Sequence, residues 1–466
     1  MLPVNSGGHA AYQTFVLENL RKYYPDPTVF AKSTWDIIER FWNLDLSYTD
    51  ELLRSKYSVF GPKPRTPSCM QRSYLLSIDF KVHSLTDWAA QLKINPLYAI
   101  LSGFPFGDTP GVGTFYDFLG RLWDSDSDHL SPHIHPVKNK KVRKPKQKGE
   151  KAESIEKITV EQLFHSLESS SFSIDEQPYA SLFKIYNHEF LSVSIAKGLI
   201  DTSSLSIAGD GMPVVTSARE RKHRICECSE NGVTSCDCDR YFSQPDCDIR
   251  WDSSRNCFYH GYDLYMLVDS QSDLPVSPHF SCASKHDSHG FLHTFFRMRS
   301  FLPDYTVSKV LLDSAHDAMP YYQYFQRENI TPFIDLNGKG GRPPVYKNDF
   351  TIDEDGVPVC PSGHRMRRDG VEVAKDRMKF RCPKISRKNG CISCTCETPC
   401  SDAKYGRTVH LVMKDNPRLF NNPPRSSKEW KLEYNARTSA ERSNKREKLD
   451  FKLEDGRHRS TKMWYC

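Results

Sequence analysis

Apolar residues recur along the first 124 residues at the spacing of helices. Leu85, Trp88, Ala89 and Leu92 fall at i, i+3, i+4 and i+7 behind a capping-box-like start of Ser84 and Asp87. Phe115, Phe118, Leu119 and Leu122 line one face of another helix, for which Thr109 is a candidate cap and Pro110 suits the first helical position. These stripes predict a helical N-terminal domain over 1–124, a natural unit for DNA binding, and the same texture returns at ITVEQLFHSLESS and YASLFKIYNHEFLSVSIAKGLI. The pattern then changes to strands. LSIAGDGMPVV (205–215) is a short apolar strand, and residues 256–280 alternate like two strands around a turn at Ser270–Pro275. KHDSHGFLHTFFRMRSFLP reads as a helix, Val310, Leu311 and Leu312 form a strand running into Asp313 and a further helix, and ITPFIDLN is another strand. This order predicts an α/β domain with a mixed sheet, its first part spanning 157–337. RTVHLVM (407–413) reads as a strand returning to that fold in a second part over 407–466, and 433–451 as one long helix.

Composition narrows the class. A chain of 466 residues with 38% hydrophobic and 12% aromatic content fits globular domains rather than a disordered chain. No run of about 18 apolar residues predicts a membrane span, and the N-terminus has no basic patch followed by an apolar core. The expected location is cytoplasmic, in association with the nucleoid. A net charge of +6 identifies no partner, but VKNKKVRKPKQKGEK (137–151) holds eight Lys or Arg against one Glu. It lies in a polar linker over 125–156, and such a run is either a solubilising tether or a contact for a nucleic-acid backbone.

Three carboxylates stand out. Asp210 and Asp313 sit at strand ends, where open α/β sheets gather reactive groups. Either one alone would be an ordinary turn or cap residue. The third comes from EYNARTSAERSNKREKLDF (433–451). On a helix at about 100° per residue with Tyr434 as origin, Arg437, Glu441 and Lys448 lie at about 300°, 340° and 320°, with Lys445 close beside them. An acid ringed by bases and led by an aromatic suits a site that holds metal and grips phosphates. Two Asp and one Glu are a sufficient oxygen-ligand set for two divalent ions in phosphodiester chemistry. Asp317, Glu433 and Glu447 are rivals that spacing disfavours.

These residues resemble the DDE transposases of bacterial insertion sequences. In the branch they most resemble, the final helix carries Tyr, two residues, Arg, three residues, Glu, six residues and Lys, as Tyr434, Arg437, Glu441 and Lys448 do here. Asp210 in AGDG and Asp313 in LLDS resemble the first two acids. The long interval from Asp313 to Glu441 is similar to an insertion before the Glu helix, and SGFPFGDTPGVGTFYDFLGRLW is similar to the helical lead-in. The resemblance implies an RNase H-like core in which Asp210, Asp313 and Glu441 hold two Mg²⁺ (or Mn²⁺) ions. It implies strand cleavage at transposon ends and strand transfer into target DNA. The partners would be double-stranded DNA (terminal inverted repeats and target) and a second copy of the chain. Tyr434, Arg437 and Lys448 would position DNA phosphates, with Lys445 a further helper. Two alternatives stay open: a catalytically silent, zinc-containing DNA-binding protein of transposase descent, and an RNase H-like nuclease.

Fifteen cysteines in a reducing compartment point to metal ligation before disulfides. Cys226, Cys228, Cys236 and Cys238 form C-x-C, seven residues, C-x-C, with Cys247 and Cys257 as substitutes. Four thiolates around one loop match a tetrahedral zinc site, and free thiols are the plain alternative. A second cluster, Cys360, His364, Cys382, Cys391, Cys394, Cys396 and Cys400, lies in a Gly-, Pro- and Cys-rich insertion predicted over 338–406 and resembles a zinc ribbon. Spacing does not settle which four would ligate a structural Zn²⁺, nor whether the flanking basic loops touch DNA. Neither cluster is expected to be catalytic, because all-thiolate sites are closed.

Overall fold

A computed structural model describes residues 8–58, 60–132, 158–219, 223–224, 227–234, 240–338, 350–388, 391–456 and 458–466. The basic run over 137–151 lies outside them.

At the centre is a six-stranded mixed sheet built from β1 (Leu205–Val215), β2 (Asp248–Asp252), β3 (Cys257–Asp269), β4 (Pro275–Cys282), β5 (Val307–Leu312) and β6 (Thr331–Ile334). The order across the sheet is β3, β1, β5, β6, with β2 and β4 sharing the outer edge of the long β3. β1 runs antiparallel to β3 and parallel to β5, and β5 is parallel to β6.

Side chains alternate between faces along a strand, so parity sorts the core. Leu205, Ile207, Tyr265, Leu267, Val310, Leu312 and Ile334 point to one face. There they meet Phe291, Leu292 and Phe295 of α1 (Asp287–Phe301), Tyr321, Tyr324 and Phe325 of α2 (Met319–Arg327), and Leu163 and Phe164 of the helix Val160–Glu168. That last helix is started by a true capping box between Thr159 and Gln162. Ala208, Met212, Val214, Leu264, Met266, Leu311 and Phe333 point to the other face, against Trp430 of α3 (Lys428–Asn435), Ala440 of α4 (Thr438–Lys445) and Trp464. Burial on both faces is why β3 reads as a nearly unbroken apolar run. Each fully buried Phe of this core contributes on the order of 1.5–3 kcal/mol.

The N-terminal helices from Gly8–Tyr23 to Val112–Leu122 have a separate core. Ser84 Oγ accepts from Asp87 N, and every residue of the two predicted stripes is buried. The second helix, however, begins at Val112 behind Gly111, which leaves Thr109 and Pro110 outside it.

Two other expectations are corrected. The strand over Thr408–Val412 does not return to the central sheet. With β7 (Arg367–Glu372), β8 (Arg377–Arg381), β9 (Ile385–Lys388) and β10 (Cys391–Cys394) preceding it, this β11 pairs antiparallel with β8. Val409 and Leu411 join Met378, Phe380, Leu419 and Phe420 in the core of the Cys-rich unit, so that unit extends past residue 406. The single helix expected over 433–451 is instead α3, a turn at Ala436–Arg437, α4, and a π-helical turn over Arg446–Asp450.

Tyr265 is a fixed point of the central layer. It is fully buried and reaches past Gly209 of β1 and Gly290 of α1, where an added Cβ would lie 2.8 Å from its hydroxyl and 2.9 Å from its ring. Helix propensity alone would have Gly290→Ala stabilise the protein by about 1 kcal/mol. The steric conflict with an immobile ring predicts the opposite sign, a net loss of about 1–2 kcal/mol. A lowered urea midpoint at unchanged slope would register it.

Candidate active site

The parallel register of β1 and β5 sets Ala208 beside Leu311. Two residues further along both strands come Asp210 and Asp313, on the same face by parity as Ala208 and Leu311. The acids are therefore neighbours at the end of the β5 ladder, on the side covered by α4; Asp313 follows the last residue of β5 as expected, but Asp210 lies within β1, still paired with Met266 of β3, and not at its end. Their surroundings differ. Asp210 is half-buried, and desolvation, reinforced by the charge of Asp313, pushes its carboxyl up to about 6. Burial also works against ionising Asp313, but hydrogen bonds from His316 Nδ1 (2.7 Å) and Ala315 N (3.1 Å), with the charge of Arg437, outweigh it and hold this carboxyl below the usual range. His316 is itself buried and its Nε2 meets the Tyr265 hydroxyl at 3.0 Å. Two adjacent acids are thus driven apart in acidity by their surroundings.

The α4 helix crosses β1 and β3. Asn444 donates from Nδ2 to Asp210 Oδ2 at 3.1 Å, while its buried Oδ1 has no hydrogen-bond partner among the described residues. Glu441 lies one turn earlier, and its charge acts on Asp210. Its side chain is 50% exposed and accepts from Arg437 at 2.6 Å. Arg437 is largely buried, sits 5.8 Å from the Tyr434 ring, and bears electrostatically on both Asp210 and Asp313. Tyr434 stacks on Trp430 at 4.6 Å, which fixes the base of this column.

The structure thus brings Asp210, Asp313, Arg437 and Glu441 into one electrostatic neighbourhood. It does not close the three carboxylates on a common point. Among the described residues, the ligand atoms that lie mutually within 4.8 Å belong to cysteines, not to these acids. Lys448 also departs from the predicted stripe. The π-helical turn widens the helix after Lys445, so about 100° per residue no longer applies, and Lys448 pairs at 3.2 Å with Glu454. Glu454 in turn accepts from Val215 N at the far end of β1. Lys445 is exposed and makes no ion pair among the described residues. The rivals have other partners. Asp317 is buried and paired with Arg418 at 2.6 Å, Glu433 pairs with Lys309 at 2.7 Å, and burial pushes Glu447 up to about 7.

Four residues beside the site escaped the sequence reading. His316 follows Asp313 by three positions, and Asn444 lies at about 280° on the helical projection, just outside the edge of the stripe. Asp263 and Asp287 face Gly211, where an added Cβ would come within 3.1–3.2 Å of their carboxylate oxygens, and Arg250 bridges them at 3.1 and 3.0 Å. Asp287 adds to the negative charge felt by Asp210. A divalent cation fits this donor set: hard oxygen ligands, an excess of acid over base, and an unpartnered amide oxygen at Asn444.

Of the first cysteine group, Cys226, Cys236 and Cys238 lie outside the described residues, and Cys228 sits in a short 3₁₀ turn. Cys247 is buried, with its sulfur 3.7 Å from both Gln244 Oε1 and Thr216 Oγ1, and Cys257 is exposed at the start of β3. In the second group, Cys382, Cys394 and Cys396 are brought together. His364 is outside this trio and engages Cys360 through its backbone carbonyl; the side chain of Cys391 lies outside the described residues. No family model matches this chain, and no curated protein or solved structure is detectably similar to it.

The raised Asp210 carboxyl has a stability consequence. Its folded pKa of about 6 exceeds the ordinary 3.8, so the folded state holds this proton more tightly. The contribution is fully present below about pH 4 and is lost as pH rises through about 6, at a cost approaching 3 kcal/mol by pH 8. In chelator, Asp210→Asn should therefore be more stable than the parent chain at pH 8 and nearly equal to it at pH 3.5 in thermal unfolding. An equal gap at both pH values would refute the assignment. Added Mg²⁺ should narrow the gap at pH 8 by stabilising only the parent chain.

Proposed function

We propose that this chain is a DDE-type transposase with an RNase H-like core, which cleaves DNA strands at the ends of a mobile element and joins them to target DNA. The observation that carries the reading is the side-by-side placement of Asp210 and Asp313 on parallel strands, beneath a helix that presents Glu441 and Arg437. The strand, hairpin, helix, strand, helix, strand order with its mixed sheet supports the core assignment. The structural partners of Asp317 and Glu433 support the choice of acids.

On this reading Asp210, Asp313 and Glu441 hold divalent metal. When bound, such ions activate an attacking hydroxyl and stabilise the leaving oxygen. Asp313, kept ionised by His316 and Ala315 N, is ready to ligate at neutral pH. Asp210 needs to lose its proton first, so activity should rise through about pH 6. Arg437, supported by the Tyr434 ring, would grip a phosphate, and Lys445, exposed one turn after Glu441 and without an ion pair among the described residues, would assist it. In cleavage, water forms a new O–P bond and the 3′ oxygen leaves. In transfer, that 3′ hydroxyl attacks a target phosphate and displaces another 3′ oxygen.

The test is a cleavage and joining assay on the DNA that flanks the chain's own coding sequence, in Mg²⁺. The parent chain should nick at the element ends and join them to a plasmid. Glu441→Gln should lose about 10²–10³-fold in cleavage while still binding the end DNA, a loss in the range of removing one preorganised electrostatic group. Full activity in that variant would sink the proposal. Cleavage with no joining would instead mark a nuclease.

A further inference from the structure

The Cys-rich unit has a feature separate from the carboxylates. Cys382 follows β8 and is held by its backbone N–H on the carbonyl of Arg407. The chain then doubles back as the β9–β10 hairpin, in which Ile385 pairs with Cys394 and Thr395 N bonds the carbonyl of Lys384. This fold-back returns Cys394 and Cys396 to Cys382, and the three sulfurs lie within 4.8 Å of one another. Gly406 packs against the same corner, where an added Cβ would come 3.2 Å from Cys382 Cβ.

Cys360 reaches the trio from another direction. Residues 360–364 form a tight turn in which Gly363 N bonds Cys360 O and Cys360 N bonds His364 O, with Gly363 at φ +75°. Cys360 is buried, interacts electrostatically with Cys396, and is within hydrogen-bonding reach of Cys400.

We propose that Cys360, Cys382, Cys394 and Cys396 form a closed, structural Zn²⁺ site. Tetrahedral zinc with four sulfurs at about 2.3 Å sets the sulfurs about 3.8 Å apart. The observed trio closes around such an ion with shifts of about an ångström. Simple packing does not explain the arrangement: Cys394 and Cys396 are only partly buried, and apolar filling does not require three sulfurs to converge. A small unit with a thin core gains most from such a staple. His364 and Cys400 are not its ligands, and the site does not depend on the chemistry of Asp210, Asp313 and Glu441.

The test uses the full chain expressed with zinc. Metal analysis of the parent should exceed that of Cys382→Ser/Cys394→Ser by one zinc per chain, while Cys400→Ser and His364→Ala keep the parent value. Equal zinc in the double variant and the parent would overturn the site. Loss of zinc in Cys400→Ser but not in Cys360→Ser would overturn the choice of fourth ligand. Because the double variant can misfold, a footprint on the parent chain stands beside it. With zinc bound, Cys360, Cys382, Cys394 and Cys396 should resist iodoacetamide, and 1,10-phenanthroline should raise their alkylation at least tenfold. Unchanged rates at these four positions would also overturn the proposal.

Discussion

The parallel pairing of β1 with β5 is the constraint on which the rest of the site depends. It brings together two acids that are far apart in the chain and sets them on one face, by register and parity alone. Packing then makes them unequal. Asp210 is half-buried under α4, which donates to it through Asn444, whereas Asp313 is supported by a hydrogen-bonded line from His316 to Tyr265. Tyr265 can hold that line only because Gly209 and Gly290 leave room for it. A change deep in the apolar layer therefore reaches a carboxylate through one aromatic ring.

The Glu441–Arg437 pair is a second, looser part of the site. An i, i+4 ion pair with one exposed member is worth only a few tenths of a kcal/mol. Glu441 therefore exchanges Arg437 for another partner at little cost, and the guanidinium freed by that exchange stays in place because it also rests near the Tyr434 ring. The charge of Arg437 acts on both Asp210 and Asp313, behind that of His316 at the latter.

Much of this was legible in the chain, for identifiable reasons. The strands of the central sheet are buried on one or both faces, so their apolar pattern is local and strong, and Asp210, Asp313 and Glu441 could be selected before any geometry was known. Partnership was not legible. The alternation of Val409 and Leu411 declares a strand but not which sheet it joins, and the edge of the Cys-rich unit took it. The helix around Glu441 carries no Pro or Gly to announce its turn at Ala436–Arg437 or its widening after Lys445, so Lys448 was aligned by an angle that does not persist. Asn444 and His316 had the right spacing, but a polar residue one turn from an acid is too common to single out. The cysteines were legible as a set, and only the β9–β10 fold-back reduces that set to particular sulfurs.

Arg425 bears on how this architecture tolerates change. The chain leaves the central sheet at Ile334 and returns ninety-one positions later at Arg425, whose buried guanidinium donates to the Ile334 carbonyl at 2.9 Å and to the Tyr322 hydroxyl at 3.0 Å. Departure and re-entry are clasped here, and the Arg418–Asp317 pair reinforces the clasp from seven residues earlier. To the central layer everything between them is a closed loop, and the entropy of closing a loop grows only slowly with its length. The Cys-rich unit can therefore lengthen, shrink or be exchanged while the clasp holds, and the interval before the Glu441 helix is free to drift in evolution without moving the acids it separates.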